Sequence, residues 1–191
     1  MKRIVLLISF LAVAALCASA QTYVDFRSMP IMSTPSLMPS YYPEQDGLAW
    51  DNFYYVTPGL WRGAGAGFWL DPATQHNTVA FIGGPLCTLP VPCTGVVKLA
   101  FAPMLPVVRT FAPISITASA GWLPNRVVVT AYNNGKFVGT LFWELTTKPQ
   151  TFTFPAAWNV TQLAFAPDTI QSNTIYPNAG SMVVYSFIYM H

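Results

Sequence analysis

Apolar and polar residues alternate most clearly over residues 126–145, RVVVTAYNNGKFVGTLFWEL, and this alternation predicts a β-hairpin. A three-residue loop, Asn133-Asn134-Gly135, gives the hairpin one wholly apolar face. A two-residue turn would mix polar and apolar residues on both faces, so the three-residue loop is favoured. The apolar face is expected to line a protein core near Trp143, and it consists of Val127, Val129, Ala131, Phe137 and Leu141.

Short β-prone runs recur along the rest of the chain. They lie at residues 47–56, 77–82, 95–101, 107–120, 150–154, 160–165 and 181–190. Turn-forming residues separate them, and no segment has the spacing of an amphipathic helix. Eight or nine short strands without helices are typical of an antiparallel β-sandwich. The predicted fold is therefore all-β, with a jelly roll as the favoured topology.

The first 20 residues have the pattern of a secretory signal peptide. Two basic residues precede an apolar run, and Ala18-Ser19-Ala20 forms a small-residue cleavage site before Gln21. Residues 21–45 then carry prolines at intervals of four or five, which no helix or interior strand tolerates. We therefore predict a signal peptide over residues 1–20, an extended arm over 21–45 with a short strand near its start, and a β-sandwich domain over 46–191. The protein is expected to be secreted.

Charge argues against nucleic acid as a partner, and hydropathy argues against a membrane-spanning helix after the leader. The leader contains two of the nine basic residues, which leaves seven against seven acidic ones. A neutral chain lacks the basic patch of a nucleic-acid-binding protein. No apolar run after the leader approaches the ~20 residues of a membrane-spanning helix, so no span is expected after cleavage.

The cysteines and one asparagine are candidates for covalent modification. Cys87 and Cys93 remain after the leader, and in an oxidising compartment they are expected to form a disulfide that closes the loop CTLPVPC. Asn159-Val160-Thr161 is an N-x-Thr sequence, which predicts glycosylation at Asn159 if the host is eukaryotic. No cofactor is expected other than a structural calcium ion, for which Asp46 and Asp168 are the candidate donors.

Candidates for hydrolytic catalysis are few. His76 and His191 are the two histidines, and neither lies in a nucleophile motif. A glycosidase needs two opposed carboxylates, for which Asp51 and Glu144 on predicted strands are the pair to test. We expect no enzymatic activity and assign no catalytic residue.

Aromatic residues in a glycine-rich loop favour carbohydrate binding. Sugar rings stack their C–H faces on exposed tryptophan or tyrosine, while polar side chains bind the hydroxyls. Residues 59–70 form this loop, and Asp71 follows it directly. The aromatic and polar side chains of the predicted site are Trp61, Arg62, Trp69 and Asp71. The alternative is that the tryptophans fill the core, as is expected of Trp50, Trp122, Trp143 and Trp158.

Several strand motifs resemble a group of secreted β-sandwich domains of fungi and bacteria. The motifs are Gly47-Leu48-x-Trp50-x-Asn52-Phe53, Val79-Ala80-Phe81-x-Gly83-Gly84, Ile116-Thr117-Ala118 and Leu163-Ala164-Phe165. The resemblance covers residues 46–190 and implies a jelly roll similar to the galactose-binding-like domains. It implies no catalytic residue, because the group is largely uncharacterised.

These features together predict a secreted, non-catalytic β-sandwich protein that binds a polysaccharide, a glycan or another extracellular polymer. One alternative is a structural protein that associates with itself through exposed β-surface. The second alternative is a small secreted glycosidase or lyase.

Overall fold

The computed structural model describes residues 21–38, 47–60, 77–83, 94–99, 110–121, 123–167 and 181–191. These residues form β-strands, connecting segments and one short 3-10 turn, Pro58–Leu60. All of the strand pairs are antiparallel, so the predicted all-β class is confirmed. In this part of the chain, no helix has the length and apolar character needed to cross a membrane.

The strands form two sheets that enclose the core. In chain order they are β1 (Gln21–Asp25), β2 (Ser36–Leu37), β3 (Leu48–Asp51), β4 (Tyr54–Val56), β5 (Val79–Gly83), β6 (Gly95–Leu99), β7 (Ala112–Ala120), β8 (Asn125–Asn133), β9 (Lys136–Leu145), β10 (Gln150–Thr153), β11 (Gln162–Pro167) and β12 (Ser181–Met190). Sheet A has the order β10-β7-β12-β5-β4-β2, and β1 also pairs with β12. Sheet B has the order β3-β6-β11-β8-β9.

Successive strands mostly lie in different sheets. Among the strands that the structure describes, from β2 onward, only β4–β5 and β8–β9 are consecutive within one sheet. The chain therefore winds back and forth across the core, as is expected of a jelly roll. An antiparallel sandwich built this way buries alternate residues of each strand and turns the others outward.

The strand predicted over residues 47–56 is divided into β3 and β4. Asn52 lies between them with a φ of 60°, a left-handed conformation that asparagine tolerates better than most residues. Its side-chain amide donates to the Thr94 carbonyl at 3.2 Å. The break sends β3 into sheet B and β4 into sheet A.

Residues 21–38 of the predicted arm are attached to sheet A. The short strand expected near its start is present as β1, which pairs with residues 186–190 of β12. Further along, Met32 and Thr57 exchange two hydrogen bonds, from Met32 N to Thr57 Oγ1 at 3.2 Å and from Thr57 N to Met32 O at 3.0 Å. The prolines limit strand pairing here, but backbone hydrogen bonds still hold the segment in place.

Aromatic rings occupy the centre of the core. Trp50 is buried, with edge-to-face contacts to Phe26, Phe53 and Phe187 at centroid distances of 5.2, 5.1 and 6.0 Å. Edge-to-face pairs of this kind add to the free energy gained by burying apolar area. Trp143 and Trp158 are also buried, so three of the four tryptophans assigned to the core are confirmed. The fourth, Trp122, lies outside the described residues.

The loop and register predicted for the hairpin are wrong. Asn133 pairs with Lys136, so Asn134 and Gly135 form a two-residue turn. Both have positive φ, 50° and 75°, as a type I′ turn requires. The register then shifts, because Tyr132 pairs with Phe137 whereas Ala131 pairs with Gly139. The extra residue, Val138, is a β-bulge.

The bulge changes which side chains of β9 face the core. Val127, Val129 and Ala131 of β8 are fully buried as predicted, but Phe137 turns outward and is 65% exposed. Past the bulge, Trp143 and other alternate residues of β9 face inward. Gly139 faces Trp158, whose ring would lie 3.0 Å from a Cβ at that position. Glycine therefore allows β9 to approach the buried indole closely.

Candidate functional site

Most of the site residues predicted from the sequence lie outside the described residues. This applies to the carbohydrate-binding set Trp61, Arg62, Trp69 and Asp71, to the calcium donors Asp46 and Asp168, to the pair Cys87 and Cys93, and to His76. Those assignments stay predictions. Among the residues that the structure does describe, no group of three or more His, Cys, Asp or Glu side chains could hold a metal ion.

The carboxylate pair considered for hydrolysis is far apart. Asp51 lies on β3 and Glu144 on β9, the two opposite edge strands of sheet B. Four strand spacings separate them, which is about 19 Å. Glycosidase carboxylates lie at roughly 5–10 Å. Asp51 is also paired with Lys98, whose Nζ lies 2.5 Å from Asp51 Oδ2. These two residues therefore do not form a catalytic pair.

The outward side of sheet B, which we call the outer face, carries the exposed phenylalanines Phe137 and Phe142. Inward residues alternate with outward ones on each strand, so the outer face is defined by the residues between the buried positions. Its members are Asp51, Val96, Lys98, Arg126, Val128, Thr130, Tyr132, Phe137, Thr140, Phe142, Glu144, Gln162, Ala164 and Ala166.

One aromatic pair lies near the hairpin turn. Tyr132 and Phe137 are cross-strand partners, and their rings meet edge to face with centroids 6.4 Å apart. Tyr132 is half-buried, whereas Phe137 is 65% exposed. Gln162 is the partner of Tyr132 on the neighbouring strand β11. An amide side chain therefore lies beside an apolar platform at this end of the face.

A second aromatic residue lies further along the same two strands. Phe142 of β9 is 64% exposed and pairs with Val128 of β8. The Arg126 guanidinium carbon lies 5.8 Å from the centroid of the Phe142 ring, a cation–π contact. Arg126 is the cross-strand partner of Glu144. Charged groups therefore border this ring on one side.

Hydroxyl groups and small side chains lie between and beside the aromatic residues. Thr130 and Thr140 form a cross-strand pair between the two aromatic positions, and both are half-buried. On β11, Ala164 and Ala166 lie opposite Thr130 and Val128. Because alanine projects less than phenylalanine or tyrosine, the surface over β11 is lower than the surface over β8 and β9. The outer face thus combines apolar rings, hydrogen-bonding groups and a shallow floor.

The outward side of sheet A is different. There Val56, Val79, Phe81 and Val183 form a second buried apolar cluster, with 2% exposure or less. Tyr185 packs against this cluster, and its hydroxyl lies 2.8 Å from that of Ser119. A cluster buried to this extent is not available to a ligand. The outer face of sheet B is therefore the better candidate.

The glycosylation sequence at residues 159–161 is next to the hairpin turn. Asn159 is exposed, and its backbone carbonyl accepts a 3.0 Å hydrogen bond from the Asn133 side chain. The Thr161 hydroxyl accepts from Asn134 N at 3.0 Å and lies 3.3 Å from the Tyr132 carbonyl, to which it donates. Threonine at this position therefore has a structural role that does not depend on a glycan.

The outer face was not predicted from the sequence, although part of its signal was present. Phe142 alternates with Thr140 and Glu144, and this pattern places its ring among polar residues on the solvent side. The predicted three-residue loop pairs Phe137 with Ala131 on the apolar face and therefore turns it inward. Only the bulge at Val138 brings Phe137 to the same face as Phe142.

Comparison with known proteins places the fold but not the ligand. No protein-family description matches this chain, and no curated protein matches it. Among solved structures, a DUF4465 family protein from Bacteroides caccae superposes with a TM-score of 0.63 at 8% identity, covering 90% of this chain and 99% of that one. The chain is similar in fold to DUF4465 proteins.

Two further structures are also similar. A DUF4465 family protein from Bacteroides ovatus gives a TM-score of 0.55 at 7% identity, covering 91% of this chain and 100% of that one. The family 11 carbohydrate-binding module of a cellulosomal cellulase from Clostridium thermocellum gives a TM-score of 0.41 at 10% identity, with 91% and 95% covered. At these identities the likeness to DUF4465 proteins is one of fold.

Proposed function

We propose that this protein is a secreted, non-catalytic carbohydrate-binding β-sandwich, and that the outer face of sheet B holds the ligand. The observation that carries the proposal is the exposure of Phe137 and Phe142 on one sheet face that also presents hydroxyl and amide side chains. Exposed rings of this size cost free energy in water unless a ligand or partner covers them.

The chemistry of the face matches that of a sugar polymer. The C–H faces of a sugar ring are apolar and pack on aromatic side chains, and the hydroxyls at its rim need hydrogen-bond partners. Phe142 and the Tyr132–Phe137 pair supply the first kind of contact. Thr130 and Thr140 lie close enough to supply the second.

The position of these residues on paired strands also favours binding. The backbone of β8 and β9 is paired along nine residue pairs, so little backbone conformational entropy is lost when a ligand binds. The face contains no opposed carboxylates at catalytic distance within the described strands, since Asp51 and Glu144 lie on opposite edges. Binding without hydrolysis is the activity that this arrangement supports. The leader pattern at residues 1–20 supports secretion.

A panel of polysaccharides tests the proposal. The mature protein is run by affinity electrophoresis in gels that contain glucomannan, xyloglucan, mixed-linkage β-glucan, xylan or pectin, and is pulled down with insoluble cellulose and chitin. We expect binding to at least one polysaccharide, and Phe142→Ala should weaken it about tenfold, which corresponds to ~1.4 kcal/mol.

Tyr23 provides the matched control, because it is 56% exposed but lies on β1 of sheet A. Tyr23→Ala should bind like the wild type. The proposal fails if no polysaccharide is bound, or if Phe142→Ala and Tyr23→Ala have the same effect.

A second candidate function is self-association. β9 is an edge strand of sheet B that exposes Phe137, Val138 and Phe142, and such edges pair with other chains. The bulge at Val138 interrupts the straight edge, which disfavours pairing between copies. Sedimentation velocity over a wide range of concentration distinguishes the two functions. A stable dimer that Phe142→Ala dissociates would support self-association, whereas a monomer at all concentrations would exclude it.

A further inference from the structure

The two aromatic positions of the outer face are separated along the strands. Tyr132, with Phe137 as its partner, and Val128, with Phe142 as its partner, are four residues apart on β8. At the rise of an antiparallel strand this separation is about 13 Å. A single sugar ring is no wider than an aromatic side chain, so one monosaccharide cannot contact both positions.

The region between the two positions is polar and open to hydrogen bonding. Thr130 and Thr140 are paired at its midpoint, and Gln162 lies beside Tyr132. A chain of sugars that spans the two aromatic positions would place the hydroxyls of its middle units over these side chains. Along the strand direction, the outer face therefore offers a ligand an apolar contact, then a polar contact, and then a second apolar contact.

The neighbouring strands favour one direction for a ligand on the outer face. The low surface over β11, at Ala164 and Ala166, runs parallel to the line that joins the aromatic positions. Beyond it, on β6 and β3, lies the Lys98–Asp51 ion pair. A ligand lying along β8 and β9 contacts both aromatic positions, whereas a ligand lying across the strands can contact only one.

We infer that the ligand is an extended polysaccharide, bound along β8 and β9 with different sugar units stacked on Phe142 and on the Tyr132–Phe137 pair. This inference rests on the proposed function and adds the length and direction of the ligand. The two contacts act as linked sites, so the affinity gained from the second requires a chain long enough to reach it.

Calorimetric titration with oligosaccharides of increasing length tests the inference. The probes are cello-, manno- and xylo-oligosaccharides from the monosaccharide to the hexasaccharide, used with the mature protein. The affinity should rise at least tenfold between the disaccharide and the hexasaccharide. Phe137→Ala and Phe142→Ala should each weaken hexasaccharide binding about tenfold but should change disaccharide binding by no more than about twofold, because a disaccharide occupies either position.

The possible results separate this inference from the proposed function. If the hexasaccharide binds no more tightly than the disaccharide, or if one variant abolishes binding of every length while the other has no effect, the inference is overturned and a single short site remains. If neither these oligosaccharides nor any polysaccharide of the panel binds, the proposed function itself fails. Circular dichroism of both variants, which change exposed side chains, should match that of the wild type.

Discussion

The backbone N–H of Asn134 donates a 3.0 Å hydrogen bond to the hydroxyl oxygen of Thr161, and this contact attaches the β8–β9 turn to the residue before β11. Thr161 is also bonded to the Tyr132 carbonyl through its own backbone N–H, at 2.9 Å. Because Tyr132 forms part of the aromatic pair on the outer face, Thr161 helps to position a proposed ligand contact.

Thr161→Val should destabilise the protein by about 1 kcal/mol, because valine keeps the shape of threonine but cannot accept the hydrogen bond from Asn134. Thr161→Ser keeps the hydroxyl and should stay close to the wild type. Denaturant unfolding of unglycosylated protein measures the difference. Asn159→Gln serves as the control, since it removes the glycosylation acceptor while its exposed side chain has no role in this contact. Equal stability of Thr161→Val and wild type would contradict the structural role.

Gly135 should be required for its backbone conformation and not for space. Its φ is +75°, and nothing lies within 4 Å of the position that a Cβ would occupy. Gly135→Ala should therefore cost about 1–2 kcal/mol through left-handed strain alone. Gly135→Asn should cost less, because asparagine tolerates this conformation better. If the two variants are equally stable in denaturant unfolding, the two-residue turn is wrong.

Gly95 should be required for space. A Cβ at this position would lie 2.5 Å from Ile82 Cγ2 and 2.6 Å from Phe53 Cε2, inside the core. Overpacking of this kind typically costs about 1–3 kcal/mol, so Gly95→Ala should lower the unfolding free energy by that amount. In a double-mutant cycle with Ile82→Ala, the two losses should sum to more than the loss in the double variant. Additive losses would show that Ile82 does not clash with the added methyl group.

The Asp25–Arg27 pair should make stability depend on pH. Partial burial alone would raise the pKa of Asp25, but the hydrogen bonds and charge of Arg27 outweigh burial and hold this pKa below its ordinary value. A lowered folded-state pKa contributes stability above the unfolded pKa of about 3.9, and this contribution is lost as pH falls through the folded pKa. Asp25→Asn should therefore melt below the wild type at pH 7, and the two should converge near pH 2. A difference that does not change with pH would contradict this role.

The hairpin illustrates what local patterns determine and what they do not. Alternation correctly assigned Val127, Val129 and Ala131 to the core, because burial of one face fixes that period. It failed at the turn. Asn134-Gly135 favours a two-residue type I′ turn, and without a bulge this turn would direct the buried residues of β9 away from the core. The bulge at Val138 allows both the type I′ turn and the buried face.

Strand order explains the remaining differences. Asp51 and Glu144 both lie on strands as predicted, but their separation depends on β3 and β9 being opposite edges of sheet B, which is a long-range property. The division of residues 47–56 between two sheets likewise depends on Asn52 adopting a left-handed conformation. Phe142 was predictable from its polar neighbours, whereas Phe137 required knowledge of the bulge.

The most direct test of the central claim is to map the ligand by NMR. The mature protein, labelled with nitrogen-15, is titrated with the hexasaccharide or polysaccharide that it binds, and backbone shift changes are assigned. Binding along β8 and β9 predicts that the largest changes lie on these strands, at Tyr132, Thr140 and Phe142, with none on β1 around Tyr23. Changes confined to sheet A, or to residues 61–71 without the outer face, would contradict it.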